Sequence, residues 1–473
     1  MSDSERILFL EAALLNRDQQ VASLESQLAL ALTRIAELQT KLGLNSQNSS
    51  KPPSSNPPHF QHSPKPPTGK KTGAQPGHKG HKRELAPPQE VTHFVYQIPT
   101  QCQHCMLPLT GQDPAPQLHQ VIDIAPIKPI ITEYQLHKLT CRACGKETRA
   151  ELPSGVSKSA LGPRLHAFTG LTIGKYRMSR RLVGEFLEEV FEITVSLGSI
   201  SNIEKELSAA LEKPFIQAKE YAQKQSVGNT DETSFKQKNM KSYLWVLVTQ
   251  LVTVFQIWPN RNQAGAKSLL GEIGERTIGS DRYNAYHYIP NQNRQLCLEH
   301  LKRDFIGLSE KAGEVGVLGS HLAEDTKQVL KIHREYKEKY HSQEQFEMKM
   351  EGYRKKIRKS LEECAKQDNE KARGMCKEIL KHEEAMWTFV KKPEVEPTNN
   401  GAERALRPSV IMRKLSFGTQ SERGSRFLER ILTATSSLRQ QGRNVLEWLT
   451  SAYQNHLKGT TAPSLLPTST PPP

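Results

Sequence analysis

The sequence predicts a multidomain α+β protein: an N-terminal coiled coil, a small cysteine ribbon, a helical helix-turn-helix-like module, and an α/β domain interrupted by a helical insertion. Three observations carry this expectation. A heptad of apolar residues opens the chain, two Cys-x-x-Cys pairs follow a Pro-rich stretch, and then three β-branched and aromatic runs, a helical stretch and a fourth short apolar run succeed one another. With 473 residues the chain has the length of about three domains. Its formal net charge of +15 and pI near 9.3 call for a polyanionic partner. A membrane surface is the weaker candidate, because no signal peptide, lipidation motif or long apolar span is apparent, and the most apolar window, Leu244 to Trp258, is broken by Thr249 and Gln250. The expected location is cytoplasmic. Seven cysteines, four of them in two close pairs, suit a reducing compartment and a metal site better than disulfides.

Residues 1–42 read as the coiled coil. Ile7, Leu10, Leu14, Arg17, Val21, Leu24, Leu28, Ala31, Ile35, Leu38 and Leu42 alternate spacings of three and four, the a/d seam of a heptad, with Arg17 as its single polar member. So narrow a seam needs a partner helix, most simply from a second copy of the chain, so a homo-oligomer is expected. Residues 43–90 are a Pro-, Ser- and Gly-rich linker, expected to be disordered when free; between Lys51 and Arg83 it carries seven Lys or Arg and no acid. In 91–155 the pairs Cys102/Cys105 and Cys141/Cys144 suit tetrahedral thiolate coordination of a structural Zn2+, with Gly145 in a knuckle turn and two strand-like runs between. Zinc would then supply most of the folding energy of so small a module, about 10 kcal/mol or more. In 160–215, Leu165–Leu171, Ser179–Leu187 and Ser196–Leu207 form three short helices, the latter two Ser-capped and spaced like a helix-turn-helix. Lys175, Arg177, Arg180 and Arg181 would lie against phosphates of double-stranded DNA.

Residues 225–307 hold the first part of the α/β domain. Val227–Phe235, Lys241–Val248 and Leu251–Ile257 read as successive antiparallel strands, Ala264 to Ile273 as a helix, and the run before Asp281 as a fourth strand. That order, completed by a distant helix bearing an acid, is the order of an RNase H-like fold, in which the first and fourth strands lie side by side. Asp231 and Asp281 would meet at their ends. Glu403, near the start of a helix capped by Asn399 or Asn400, would complete an oxygen-rich site for Mg2+ or Mn2+. Glu232 competes for this role, although neighbours on a strand point to opposite faces; Glu299 and Asp304 compete as well. Glu403 is preferred because Asn399 to Asn444 carries nine Lys or Arg against three acids, among them Arg404, Arg407, Arg413 and Lys414, which would bind DNA. Residues 308–395 form a helical insertion with interleaved Lys and Glu, in which Cys364 and Cys376 are free thiols. Residues 396–458 return to the α/β domain, with Ile431, Leu438, Leu446 and Leu449 facing inward. The tail, 459–473, is expected to be disordered.

Pro397-Thr-Asn-Asn-Gly-Ala-Glu-Arg-Ala-Leu-Arg-Pro408, the stretch from Arg413 to Gly424, Ser280-Asp-Arg-Tyr283 and the stretch from Gln295 to Phe305 resemble the signature blocks of bacterial DDE transposases of the insertion sequence 66 family. Leu44 to Ser55 and Gly73 to Gly80 resemble it too. The resemblance implies Asp231, Asp281 and Glu403 as the catalytic triad of an enzyme that binds the ends of its own element, cleaves DNA and joins it to a target. It also implies accessory proteins of the same element and association with the bacterial nucleoid. Position 410, seven after the Glu, is Val where many DDE enzymes carry a basic residue; Arg404 and Arg407 are the candidates to serve instead, and that role stays open. A nuclease or resolvase without strand transfer, and a non-catalytic DNA-binding regulator, are the alternatives.

Overall fold

The computed structural model describes residues 83–467 apart from Phe417, together with 16–32, 34–35, 45, 47–48, 73 and 80. Residues 16–32 form helix α1, which carries Arg17, Val21, Leu24, Leu28 and Ala31 of the heptad. Its apolar seam has no cover within the described residues: Leu24 and Leu28 are 64% and 61% exposed. Ile7, Leu10, Leu14, Leu38 and Leu42 lie outside the described residues, as does most of the basic linker. Of the linker, Asn48 is buried and donates its side-chain amide to Glu310 at 2.6 Å, so the stretch is docked at that point.

The cysteine module contains one hairpin, β1 (Lys138–Thr140) against β2 (Glu147–Arg149), with the second knuckle as its turn. There Gly145 takes φ +69° and donates to the carbonyl of Cys141 at 2.8 Å, a conformation that favours glycine. The first knuckle is closed by Met106 donating to Cys102 and Cys102 to Leu107. Each knuckle brings its own two thiols together. Among the described residues no three of the four thiols come within 4.8 Å of one another. Between the knuckles Val121, Ile124, Ile130 and Ile131 are 81–96% exposed.

The helical region is longer than expected and shares its core with the sheet domain. Helices α2 (Pro163–Gly174), α3 (Arg180–Phe191) and α4 (Leu197–Ala210) are joined by α5 (Glu212–Ala222). Ser179 and Ser196 cap α3 and α4 by accepting from the amides of Leu182 and Ser199. Only Val183, Leu187 and Ile200 form a separate small core; Ala167, Leu171, Leu207 and Leu211 join the core of the sheet. Close approach makes this possible, since a Cβ on Gly170 would lie 2.1 Å from Leu207 Cδ2.

The sheet has five strands, β3 (Val227–Gln237), β4 (Met240–Val248), β5 (Thr253–Trp258), β6 (Thr277–Ser280) and β7 (Arg294–Leu296), in the order β5-β4-β3-β6-β7. The first three pair antiparallel, and β6 and β7 join in parallel after helix α6 (Gln263–Leu270). The first and fourth strands of the sheet, β3 and β6, are therefore neighbours. After β7 come α7 (Leu298–Ser309), then the insertion of α8 (Glu314–Lys337), α9 (Gln343–Cys364), α10 (Glu370–Lys381) and the short α11 (Thr388–Lys391). The insertion builds its own core from residues such as Leu322, Phe346, Leu361, Cys364 and Cys376, seated on Leu298, Leu301 and Phe305 of α7. Both cysteines are free thiols.

Three helices close the fold: α12 (Asn400–Ser416), α13 (Glu422–Gln440) and α14 (Val445–Leu457). Ile431, Leu438 and Leu449 are fully buried. Helix α13 also covers the open edge of β5, whose unpaired amides would otherwise invite another strand. Ile257 donates to Glu429 (2.6 Å), Phe255 to Thr433 (3.0 Å) and Thr253 to Ser437 (3.1 Å), one side chain per helical turn. The expected disorder of the tail is corrected for residues 460–467. Leu465 is fully buried, and its carbonyl and that of Ser464 accept from Gln441, Arg443 and Trp448, so an apolar anchor and three hydrogen bonds hold the segment.

Candidate active site

Register brings the first two acids together. In the parallel β3–β6 ladder Asn229 lies opposite Gly279, and each strand reaches its acid two residues later, at Asp231 and Asp281. Asp281 then turns the chain, accepting from the amide of Tyr283 at 3.0 Å. Arg294, fully buried on β7, supports the turn by donating to Ser280 Oγ (3.0 Å) and to the carbonyl of Asp281 (2.7 Å).

Glu232 joins them, contrary to the alternation argument. Carboxylate oxygens of Asp231, Glu232 and Asp281 all lie within 4.8 Å of one another. The β3–β6 ladder ends at Asn229 while β3 runs on against β4 to Gln237, so the β6 side of β3 is open there and the longer Glu232 side chain reaches Asp281 across it. The electrostatic consequence is large. Burial, then the charges of Glu232 and Asp281, push the Asp231 carboxyl well above its usual range, and Glu403 adds in the same direction. Burial and Asp281 raise Glu232 to about 7, against the pull of Arg261. Arg261 is the nearest compensating cation. It contacts Glu232 at 2.6 Å and Asp281 at 3.8 Å, and its guanidinium stacks 3.7 Å from the ring centroid of Tyr283. Tyr286 donates its hydroxyl to the other oxygen of Glu232. Sequence reasoning missed Arg261, which lies in a loop with no motif around it.

Glu403 stands beside this group without entering it. Helix α12 is tied along β3 at both ends. Asn399, fully buried, donates its side chain to the carbonyl of Thr230 (2.7 Å), and Arg413 donates to the carbonyl of Ser234 (2.6 Å). The amide of Asn399 is thus spent on β3, and its side-chain oxygen has no hydrogen bond, so it does not cap the helix as expected. Glu403 lies 3.5 Å from both His300 Nδ1 and Arg303, which sit one turn apart on α7. Burial, then Arg303, push His300 below its ordinary range, and burial raises the Cys297 thiol beside it to about 12, which keeps that thiol protonated and inert. Glu299 and Asp304 are engaged elsewhere, with Lys302 (2.7 Å) and Arg282 (3.0 Å).

The basic residues divide into two sets. Arg180 makes a bidentate ion pair with buried Glu204 at 2.6 and 2.7 Å, Lys175 is half-buried, Arg177 points to the carbonyl of Pro408, and Arg413 pins α12. Arg180, Arg177 and Arg413 thus have partners within the fold as well as solvent-facing surface. Arg181, Arg404, Arg407 and Lys414 are exposed. Among the described residues no helix is long and apolar enough to cross a membrane.

No curated protein matches the chain. A model of a family of unknown function matches residues 4–84. The model described as "Transposase IS66 family" matches residues 175–426, which is more than half of the chain and contains every acid of the site. The chain therefore belongs to the IS66 family of transposases.

Proposed function

We propose that Asp231, Asp281 and Glu403 form the catalytic site of an RNase H-like DDE transposase, which binds the ends of its element, cleaves one strand and transfers the freed 3′-hydroxyl to target DNA. The observation that carries this is the convergence of Asp231, midway along β3, with Asp281, just past the end of the neighbouring parallel β6, and Glu403 on a helix fastened along β3. The sheet order and the parallel β6 and β7 support the fold assignment.

The residues fit a divalent cation. The clustered donors are carboxylate oxygens, the ligands that hard cations take, and they repel one another with only Arg261 as close compensation. Mg2+ or Mn2+ held by Asp231, Asp281 and Glu403 would activate the attacking oxygen and stabilise the leaving one. The chain's own groups do the rest. Arg303 and His300 orient Glu403 from α7, Arg294 fixes the turn that presents Asp281, and Arg261 with Tyr286 holds Glu232 away from free rotation. Exposed Arg404, Arg407 and Lys414 recur at helical spacing on α12 and would lie along the DNA backbone, with Arg181 on α3 as a more distant contact. The exposed seam of α1 would pair two copies so that two element ends are held together. Backbone amides of Cys105 and Cys144 hold the Cys102 and Cys141 thiols below their ordinary range, the protonation bias that a structural Zn2+ needs.

The test is incubation of the purified chain with labelled element-end duplex and Mg2+. Joined product supports the reading. Nicked product without joining favours the nuclease, and binding without either favours the regulator.

A further inference from the structure

A second cluster of metal-type ligands lies away from the carboxylates, where the insertion meets the sheet domain. His287 comes after the Asp281 turn, Glu378 lies on α10, and His382 ends that helix; one ligand atom from each lies within 4.8 Å of the others. The imidazole rings of His287 and His382 have centroids 4.7 Å apart.

Hydrogen bonding prepares His382 as a ligand. Asn291 donates its side-chain amide to the carbonyl of Lys381 (3.1 Å), which fixes which end of that side chain is oxygen. That oxygen lies 2.8 Å from His382 Nδ1, so Nδ1 carries the hydrogen and donates. Nε2 is then left with its lone pair, and it is buried without a hydrogen bond in a residue only 6% exposed. A ring nitrogen oriented this way by a partner on its other nitrogen is the usual arrangement behind a metal-bound histidine. Glu378 is divided in the same sense. One oxygen accepts from Arg282, while the other faces His287 Nε2 at 3.5 Å. His287 Nε2 also lies 3.3 Å from the carbonyl of Arg282, a long contact that a cation would replace.

We infer that His287, Glu378 and His382 bind a divalent transition metal of the zinc or cobalt class, which fastens the helical insertion to the loop carrying Asp281. Two imidazoles and one carboxylate match such ions and match Mg2+ poorly, since Mg2+ prefers oxygen and water. The role is positional. Arg282, next to Asp281 in the chain, already bridges to Glu378 on α10 and Asp304 on α7, and a metal on the far oxygen of Glu378 would tighten that link.

The test is titration of the metal-free full chain with Co2+, without DNA, so that its outcome is independent of the transposase reading. Wild type is compared with His287→Ala and Glu378→Gln, each also in a Cys102→Ser, Cys141→Ser background. His287 is partly exposed, and Gln at 378 can still accept from Arg282, so both variants keep the fold; an unchanged metal-free Tm verifies it. The expected result is one Co2+ equivalent that lacks sulfur-to-cobalt charge-transfer absorption, persists when Cys102 and Cys141 are replaced, and weakens by about 100-fold or more in either variant. Binding insensitive to both variants, or confined to the thiolate signal, would overturn the proposal.

Discussion

The carboxylate site and the cysteine module both carry side chains of metal-ligand type, yet the chain organises them differently. Asp231, Glu232 and Asp281 are gathered by a sheet register and a packed core, at the cost of mutual repulsion. Cys102, Cys105, Cys141 and Cys144 are gathered only in pairs, because a knuckle is local while the span between the two pairs has apolar side chains in solvent and no core. A large core can hold like charges together; a small module depends on the ligand to close it.

This contrast meets its most severe test at the cysteines. Zn2+ should convert residues 91–155 from protease-sensitive to protected, with a gain of about 10 kcal/mol for the module, and Cys141→Ser should abolish the protection while the Tm of the sheet domain stays put. Limited proteolysis with and without chelator reads this; equal protection in both would mean that the module holds itself.

The next largest effect lies at the carboxylates. Asp231→Asn should lower joining by about a thousandfold or more, and in metal-free buffer at pH 8 should raise stability by about 1 kcal/mol, because one of three crowded charges is gone. A thermal melt that shows destabilisation would contradict the repulsion account. Arg261→Ala works in the opposite direction. It leaves buried Glu232 without its cation and should cost about 3 kcal/mol in denaturant unfolding. Leu465→Ala, which empties an apolar site under the docked tail, should cost about 2–3 kcal/mol, whereas a freely moving tail would show no change. Smallest is Glu299→Gln, a partly buried i,i+3 pair with Lys302, expected to move stability by less than about 0.5 kcal/mol and to leave joining intact.

Much of the sheet was legible because its signals are local. Runs such as Tyr243 to Val248 declare a strand by composition, and an acid just past a strand end is positioned by the parallel register of its neighbour. What escaped depends on distant partners. Nothing near Arg261 announces that it will stack on Tyr283 and neutralise Glu232, and the alternation rule misjudged Glu232 because it takes no account of where β6 stops alongside β3. No local signal marks Glu429, Thr433 and Ser437 as buried, yet they are, and they accept from the amides along the β5 edge. Arg180 and Arg413 read as DNA contacts from charge alone, yet each has a specific partner inside the fold.

The central claim is that Glu403, and not the nearer Glu232, completes the metal site with Asp231 and Asp281. The most direct measurement is single-turnover strand transfer of labelled element-end DNA in Mg2+ by wild type, Glu403→Gln and Glu232→Gln, with DNA binding measured in parallel. Loss of joining by about a thousandfold in Glu403→Gln alone, with binding retained, is the predicted result; joining that survives Glu403→Gln and disappears in Glu232→Gln would contradict it.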